Sequence, residues 1–498
     1  MRPKWTWSTP GWPGREQGRA DVADADTRPI AVIQTQRMGD LLLTYPLLLW
    51  LARCHPGRPV TVVAEAGFAG PLAQISPRAD YVSLEQARER LGNREHSLVI
   101  NLGIRPEAAR LAGEIPAETR LGPVADAGGI IRVRGDWQLY RASVVHLNRH
   151  SRYHWAELNA LDVVPAGLIA KTTWPEPRQG GPGRRTVGLF VGASQPGKHP
   201  APAFFADLIR ELARRGLTPV LLGGPGETAL GDEAARLSGV PVANLCGKLG
   251  LKELALLGQE MDLLVSPDTG PMHLAAWTGW RVLNLSIGPV SAHETGPYQP
   301  GHFVLRPRLS CRGCWACLRS SVVCRDRLDA ARVAYVAARL ARGEDTRLGG
   351  ARIPGFELLR TVMDENGLRR LEPLSLTGQA GPGPDGRELV GAFWRAVFGH
   401  IFGLWDAAAP RSAAAALAAG QPALHAALGR GLVRLGGALG RDLRRGRVPD
   451  ASFAAAFAPG VRPLAGYLER LLQNSDGDRA SRLVSLALLE RTAALFAG

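Results

Sequence analysis

Residues Ser266–Gly279 read SPDTGPMHLAAWTG, with the apolar run MDLLV before them and RVLNLSIG after them. A short apolar run closed by Pro, Asp and Gly predicts a buried parallel strand, and MHLAAW beyond it predicts a helix. The join is a strand-to-helix turn. There the first N–H groups of the helix lack partners within it and lie at the positive end of its dipole, so they can hold an anion such as a phosphate. Gly270 lets backbone come close to that anion, and Pro271 suits a first helical turn, where its missing N–H is not needed. Asp268 or Thr269 can cap the helix or reach a ligand. The same Asp-Thr-Gly-Pro would also serve as a plain cap.

The pattern recurs on both sides. Ile30–Gln34 (IAVIQ) is a short apolar strand, followed by the loop TQRMGD and the helical pattern LLLTYPLLLWLARC; VTVVAE and LVINLG continue the alternation. A Pro- and Gly-rich stretch that includes RQGGPGRR interrupts it, and TVGLFVG, AFFADLIRELARRG, PVLLGGPGE and NLCG then restart it. Strands alternating with helices argue for parallel sheets covered on both faces. Two such units face a cleft, with ligands outside the carboxyl ends of the strands. Beyond Arg342 the expected strands vanish, and stretches such as FWRAVFGHIFGLW and SRLVSLALLERTAALFAG have helical spacing. The predicted organisation is a disordered leader over 1–28, a Rossmann-like unit over 29–173, a linker over 174–185 and a second Rossmann-like unit over 186–342. A linker over 343–388 and a separate all-α tail over 389–498 follow.

The chain has 498 residues and a net charge of +15, from 60 basic against 45 acidic side chains. That length suits two or three domains, at about 100 to 200 residues each. No apolar run approaches the roughly 18 residues of a membrane span, and the Trp-, Pro- and Gly-rich leader lacks the apolar core of a signal peptide. The expectation is a cytoplasmic protein. Its basic excess predicts an anionic partner or surface. No zinc finger, RNP signature or basic stripe points to nucleic acid, which leaves a phosphorylated lipid or the inner membrane face.

Several residues at the predicted loop ends could carry chemistry. Asp40 closes the loop TQRMGD and suits a general base, or caps a helix beginning at Leu41. Ser194 and Lys198 stand in the loop ASQPGKHP, and Lys198 is one of only five lysines in the chain, which favours pairing with a phosphate over a random solvated charge. Glu227 ends the turn GGPGE, which could approach a ribose or be a plain turn; it matches neither GxGxxG nor a Walker loop. His273 and His293 are single imidazoles, more often packed than catalytic. Cys311, Cys314, Cys317 and Cys324 lie within fourteen residues. They could complete a tetrahedral zinc or iron site, or stand as unligated thiols.

The stretches IAVIQTQRMGDLLLTYPLL, GASQPGKHPAPAFFADL, VLLGGPGE and SPDTGPMHLAAWTG, in that order, resemble glycosyltransferase family 9, the lipopolysaccharide heptosyltransferases. The resemblance spans roughly 29–342 and implies a GT-B fold, with the acceptor bound mainly by the first unit and a nucleotide-sugar donor by the second. It implies inverting transfer that requires no metal or other cofactor, from a donor such as ADP-heptose to a lipid-linked saccharide of the lipopolysaccharide core. By motif position Asp40 would be the base, and Lys198, with Ser194 in its loop, would meet the donor diphosphate. Glu227 would reach the ribose, and Asp268, Thr269 and Gly270 would receive the phosphates, with His273 in the same motif. After Lys198 the chain continues His199-Pro200-Ala201-Pro202 where the family usually has Arg/Lys-Trp-Pro. Some relatives that glycosylate proteins carry a four-cysteine metal site, so a protein acceptor is the alternative. A non-catalytic nucleotide-sugar-binding scaffold is a third reading, which Asp40 and Lys198 together oppose.

Overall fold

The structure is a computed structural model and describes residues 26–179, 185–311, 313–349, 351, 353–374 and 385–496. Most of the leader read over 1–28, and residues 180–184 of the first linker, fall outside the described residues.

Six strands form the first sheet: β1 (Ile30–Gln34), β2 (Val60–Ala64), β3 (Asp80–Val82), β4 (His96–Asn101), β5 (Ala117–Ala125) and β6 (Ile131–Arg134), in the order β3-β2-β1-β4-β5-β6. All neighbours are parallel except β5 and β6. Every residue of β1, β2 and β4 is buried, as expected of strands covered on both faces. The order reverses beside β1, so the loop after β1 lies at the switch point where such sheets bind ligands.

The second sheet is built from β7 (Thr186–Phe190), β8 (Thr218–Leu222), β9 (Ala243–Asn244), β10 (Leu263–Pro267), β11 (Val282–Leu285), β12 (Phe303–Pro307), β13 (Phe356–Met363) and β14 (Arg369–Pro373). Its order is β14-β13-β12-β11-β10-β7-β8-β9. The helix Pro202–Arg214 covers one face with Phe205, Leu208, Ile209 and Leu212, a helical stripe that packs with Val333, Val336 and Leu340 of the helix Ala330–Ala341. The expected pair of doubly wound sheets, a GT-B arrangement, is present.

Two expectations are corrected. The stretch 343–388, read as a linker, contains β13 and β14, which extend the second sheet antiparallel to β12. A buried guanidinium fastens this join, Arg306 Nε donating to Glu357 at 2.7 Å. The helices Gly386–Ile401, Ala408–Gly420, Pro422–Arg444, Arg462–Asn474 and Arg479–Ala494 do not stand apart either. They share one core with the first unit. Phe398 packs on Tyr140 with ring centroids 4.6 Å apart, Phe402 lies 4.8 Å from Trp137, and the Tyr153 hydroxyl donates to the Arg395 carbonyl at 2.6 Å. Asn474 pairs with the backbone of β6 in both directions, at 2.7 and 2.8 Å. Aromatic residues spaced to make a helix amphipathic also form this seam.

Phe398 is fully buried in that seam. Phe398→Ala is expected to cost about 3–5 kcal/mol. Helices and first unit should melt in one transition, and a calorimetric scan that resolves a separate helical transition would refute the shared core.

Candidate functional site between the two sheets

The first turn after β1 is the helix Met38–Leu42, and the first turn after β10 is the helix Gly270–Trp277. They pack against each other and so bring the carboxyl ends of the two sheets together. The approach is tight on both sides. A Cβ on Gly270 would fall 2.3 Å from Met38 Cε, and one on Gly39 would fall 3.0 Å from His273 Cδ2. In this structure the bare face of Gly270 therefore admits the first unit itself. Arg37 adds a polar bridge, its Nη1 donating to Ser194 Oγ at 3.0 Å, while Tyr45 meets Trp277 edge-to-face at 5.3 Å.

Asp40 is the third residue of its helix, not the cap of one beginning at Leu41; its carboxylate accepts the Arg37 N–H at 3.3 Å. Burial pushes the carboxyl above its ordinary range, against the opposing pull of Arg141, the Arg37 N–H and charge, and Lys198. Asp268 faces the same field from the other sheet. Burial raises it, Lys198 and the Thr295 hydroxyl (2.6 Å) lower it, and the charge of Asp40 raises it again. Lys198 thus lies within electrostatic reach of a carboxylate from each unit. No hydrogen bond ties its ammonium down among the described residues.

Thr269 is the N-cap of the helix Gly270–Trp277, but its side chain makes no capping bond. Glu227 closes its own turn: one oxygen accepts the Gly224 N–H at 2.7 Å, and its side chain fills the space over Gly192. His273 is buried with an unpartnered Nδ1, and burial followed by the charges of Arg369 and Lys198 pushes its pKa down to about 3. It is a neutral imidazole at any ordinary pH. His293 and Glu294 are engaged elsewhere, His293 with Glu388 at 3.6 Å and Glu294 with the Asn148 amide.

Three arginines that the sequence reading did not single out complete the arrangement. Arg37 lies in the loop TQRMGD. Arg141 comes from the helix Asp136–Ser143, bonds Asn159 Oδ1 at 3.1 Å and lies over the Trp155 ring at 4.8 Å. Arg369 opens β14, deep in the fold. Its N–H donates to Glu157 of the first unit, its Nε to the Pro297 carbonyl at 2.7 Å and its Nη1 to the His293 carbonyl at 3.4 Å, while Nη2 is buried without a partner. No periodic pattern marks Arg141 or Arg369, because their roles arise only when the two units meet.

The sequence leaves the four cysteines open between a metal site and unligated thiols. Among the described residues no group of three or more His, Cys, Asp or Glu side chains could hold a metal. Cys324 Sγ instead accepts the Gly288 N–H at 3.1 Å, Cys314 lies 3.9 Å from the Gly288 carbonyl, and Cys317 lies 3.8 Å from the Ser321 carbonyl. Burial raises the Cys314 and Cys324 thiols, and the neighbouring cysteines add to the rise. These thiols grip Gly288, which has φ +77° and lies so close to the Lys198 turn that a Cβ there would fall 2.4 Å from the Gly197 carbonyl oxygen. The cysteine segment therefore buttresses the lysine loop.

Two Rossmann-like units meeting over a lysine and two carboxylates define a site of the GT-B class. Residues 149–319 match the sequence model of glycosyltransferase family 9 (heptosyltransferase). The matched segment begins in the first unit and runs into the second, with Lys198, Glu227 and Asp268 inside it and Asp40 outside it. Lipooligosaccharide heptosyltransferase 2 of Campylobacter jejuni is 30% identical over 122 residues, 24% of this chain and 38% of that protein. The chain thus spans well under half the length of this curated relative. Among solved structures, E. coli ADP-heptose lps heptosyltransferase II is 18% identical, with 64% of this chain and 99% of that one covered at a TM-score of 0.49. The glycosyltransferase family 9 protein of Veillonella parvula is 21% identical, with 56% and 86% covered at 0.45. Among the described residues no helix is long and apolar enough to cross a membrane.

Glu294 offers a test of burial at this interface. Burial raises its carboxyl to about 8, with the Asn148 amide opposing, so the folded state binds a proton that the unfolded chain releases near 4.5. That contribution to stability is present below pH 4.5 and is lost as pH rises through about 8. Compared with Glu294→Gln, the parent protein should lose stability between pH 5 and 8.5 in urea titrations; parallel curves for the two would show that Glu294 is not held protonated.

Proposed function

We propose that the protein is an inverting glycosyltransferase that moves a heptose-type sugar from a nucleoside-diphosphate donor, ADP-heptose by the family resemblance, to a saccharide acceptor. The observation that carries this reading is the placement of Asp40 from the first unit opposite Lys198 and Asp268 from the second. An acceptor hydroxyl must lose its proton as it attacks the anomeric carbon, and the departing diphosphate must be stabilised as negative charge grows on it. Asp40 takes the proton; its raised pKa makes it a better base than a solvated carboxylate. Lys198, with the Gly270 N–H at the start of the helix Gly270–Trp277, receives the charge on the diphosphate. Arg141 keeps Asp40 oriented and ionised, and neutral His273 offers a hydrogen bond without adding charge.

In this reading the chemistry requires no metal or other cofactor. The acceptor is a lipid-linked saccharide of lipopolysaccharide-core type, and the enzyme works in the cytoplasm, peripheral to the inner membrane face. The chain's positive charge supports such an acidic, membrane-borne acceptor.

Asp40→Asn keeps the shape of the side chain but removes its ability to accept a proton. Turnover is expected to fall by roughly 10² to 10⁴ while donor binding persists. Because Asp40 acts ionised, the rate in the parent should fall on acidification at a pH above the ordinary carboxylate range, and the variant should lack that limb. Transfer by the folded variant at near the parental rate would sink the assignment.

Lys198→Ala should weaken nucleoside-diphosphate binding by about 1–3 kcal/mol and leave acceptor binding nearly unchanged. Calorimetry showing the same diphosphate affinity in both proteins would remove Lys198 from the donor site.

A further inference from the structure

The C-terminal helices enclose a cavity of about 660 Å³, well inside the range of roughly 300–1,000 Å³ seen for small-molecule sites. Its wall is mostly apolar: Val397 and Ile401 come from one helix, Pro410 and Ala414 from the next, and Leu488 and Leu495 from the C-terminal end. No acidic side chain lines it, and its charged groups are Arg411 and Arg491, both exposed at the rim.

Neither guanidinium has a carboxylate partner among the described residues. Arg491 is instead held by a neutral group. His400 Nδ1 lies 3.1 Å from the Trp405 carbonyl, which can only accept, so Nδ1 carries the ring proton. The lone pair of Nε2 then accepts from Arg491 Nη2 at 3.0 Å. This bond fixes the guanidinium at the cavity without neutralising it. The result is a mostly apolar slot, open to solvent at one side, with an oriented, uncompensated positive charge at its rim. An anion there keeps some contact with water and avoids the full cost of burying a charge, while an alkyl chain inside gains the whole benefit of leaving water.

We propose that this cavity binds a single-chain amphiphile with an anionic head, an alkyl phosphate or carboxylate. The chain lies among Val397, Ile401, Leu488 and Leu495, and the head pairs with Arg411 and Arg491. None of these residues belongs to the site between the sheets, so the proposal stands independently of the glycosyl-transfer reading.

The test is titration calorimetry of the full chain with octyl, decyl and dodecyl phosphate, each below its micellar concentration, beside dodecanoate and the neutral decyl glucoside. One molecule per chain is expected to bind, about fourfold tighter for each added methylene, which corresponds to ~0.8 kcal/mol each. Decyl phosphate should bind at least tenfold tighter than decyl glucoside, and the double variant Arg411→Gln, Arg491→Gln should abolish that preference. Ala418→Trp, which fills the slot, should remove binding. Because that variant could misfold, a dodecyl phosphate with a diazirine in its chain, crosslinked to the unaltered protein and mapped by mass spectrometry, should mark Val397, Ile401 or Leu488. Dodecanoate binding as well as the phosphate would show that charge, not phosphate geometry, is recognised. Three results would overturn the proposal: no saturable binding, an affinity indifferent to head charge, or crosslinks outside these helices. Full displacement of decyl phosphate by inorganic phosphate would do so too, because the chain would then contribute nothing.

Discussion

Two carboxylates from different units meet here, and the charge of Asp40 adds to the cost that burial sets on ionising Asp268. Like charges so placed are tolerable only where cations face them. Much of the surrounding architecture supplies those cations. The loop after β7 brings Lys198, the helix Asp136–Ser143 brings Arg141, and β14 brings Arg369, which is itself shifted down to about 10 by burial.

The same demand explains why small residues crowd the junction. Gly39, Gly270 and Gly288 each sit where a Cβ would strike the opposing segment. Side chains there would hold the carboxylates and the lysine apart, and the electrostatic coupling between the units falls with distance. The thiols on Gly288 act from behind the lysine loop, so their contribution is mechanical.

Much of this was readable in the sequence because parallel strands buried on both faces appear as uninterrupted apolar runs. IAVIQ and LLVSP are such runs, and the turns that follow them, which carry Asp40 and Asp268, lie at the carboxyl ends of the two sheets. The strands β13 and β14 escaped notice for the opposite reason. FELLRTVM mixes buried with half-buried positions, and RRLEP is largely charged, as befits antiparallel strands near an edge. The docking of the C-terminal helices was illegible for another reason: an amphipathic stripe states that a face is covered but not by what. Arg141 and Arg369 acquire meaning only from tertiary contact.

The β13–β14 hairpin has a bearing on where this chain can be divided. Its outer strand ties Glu157 of the first unit to the carbonyls of His293 and Pro297 in the second, and its inner strand covers β12. A fragment ending at Arg342, where the family-like motifs give out, would leave β12 as a bare edge, with Arg306 stripped of Glu357, and expose a template for sheet growth between molecules. A division that respects only the motif boundary would therefore expose that edge, and the structural unit around this site extends at least through Pro373.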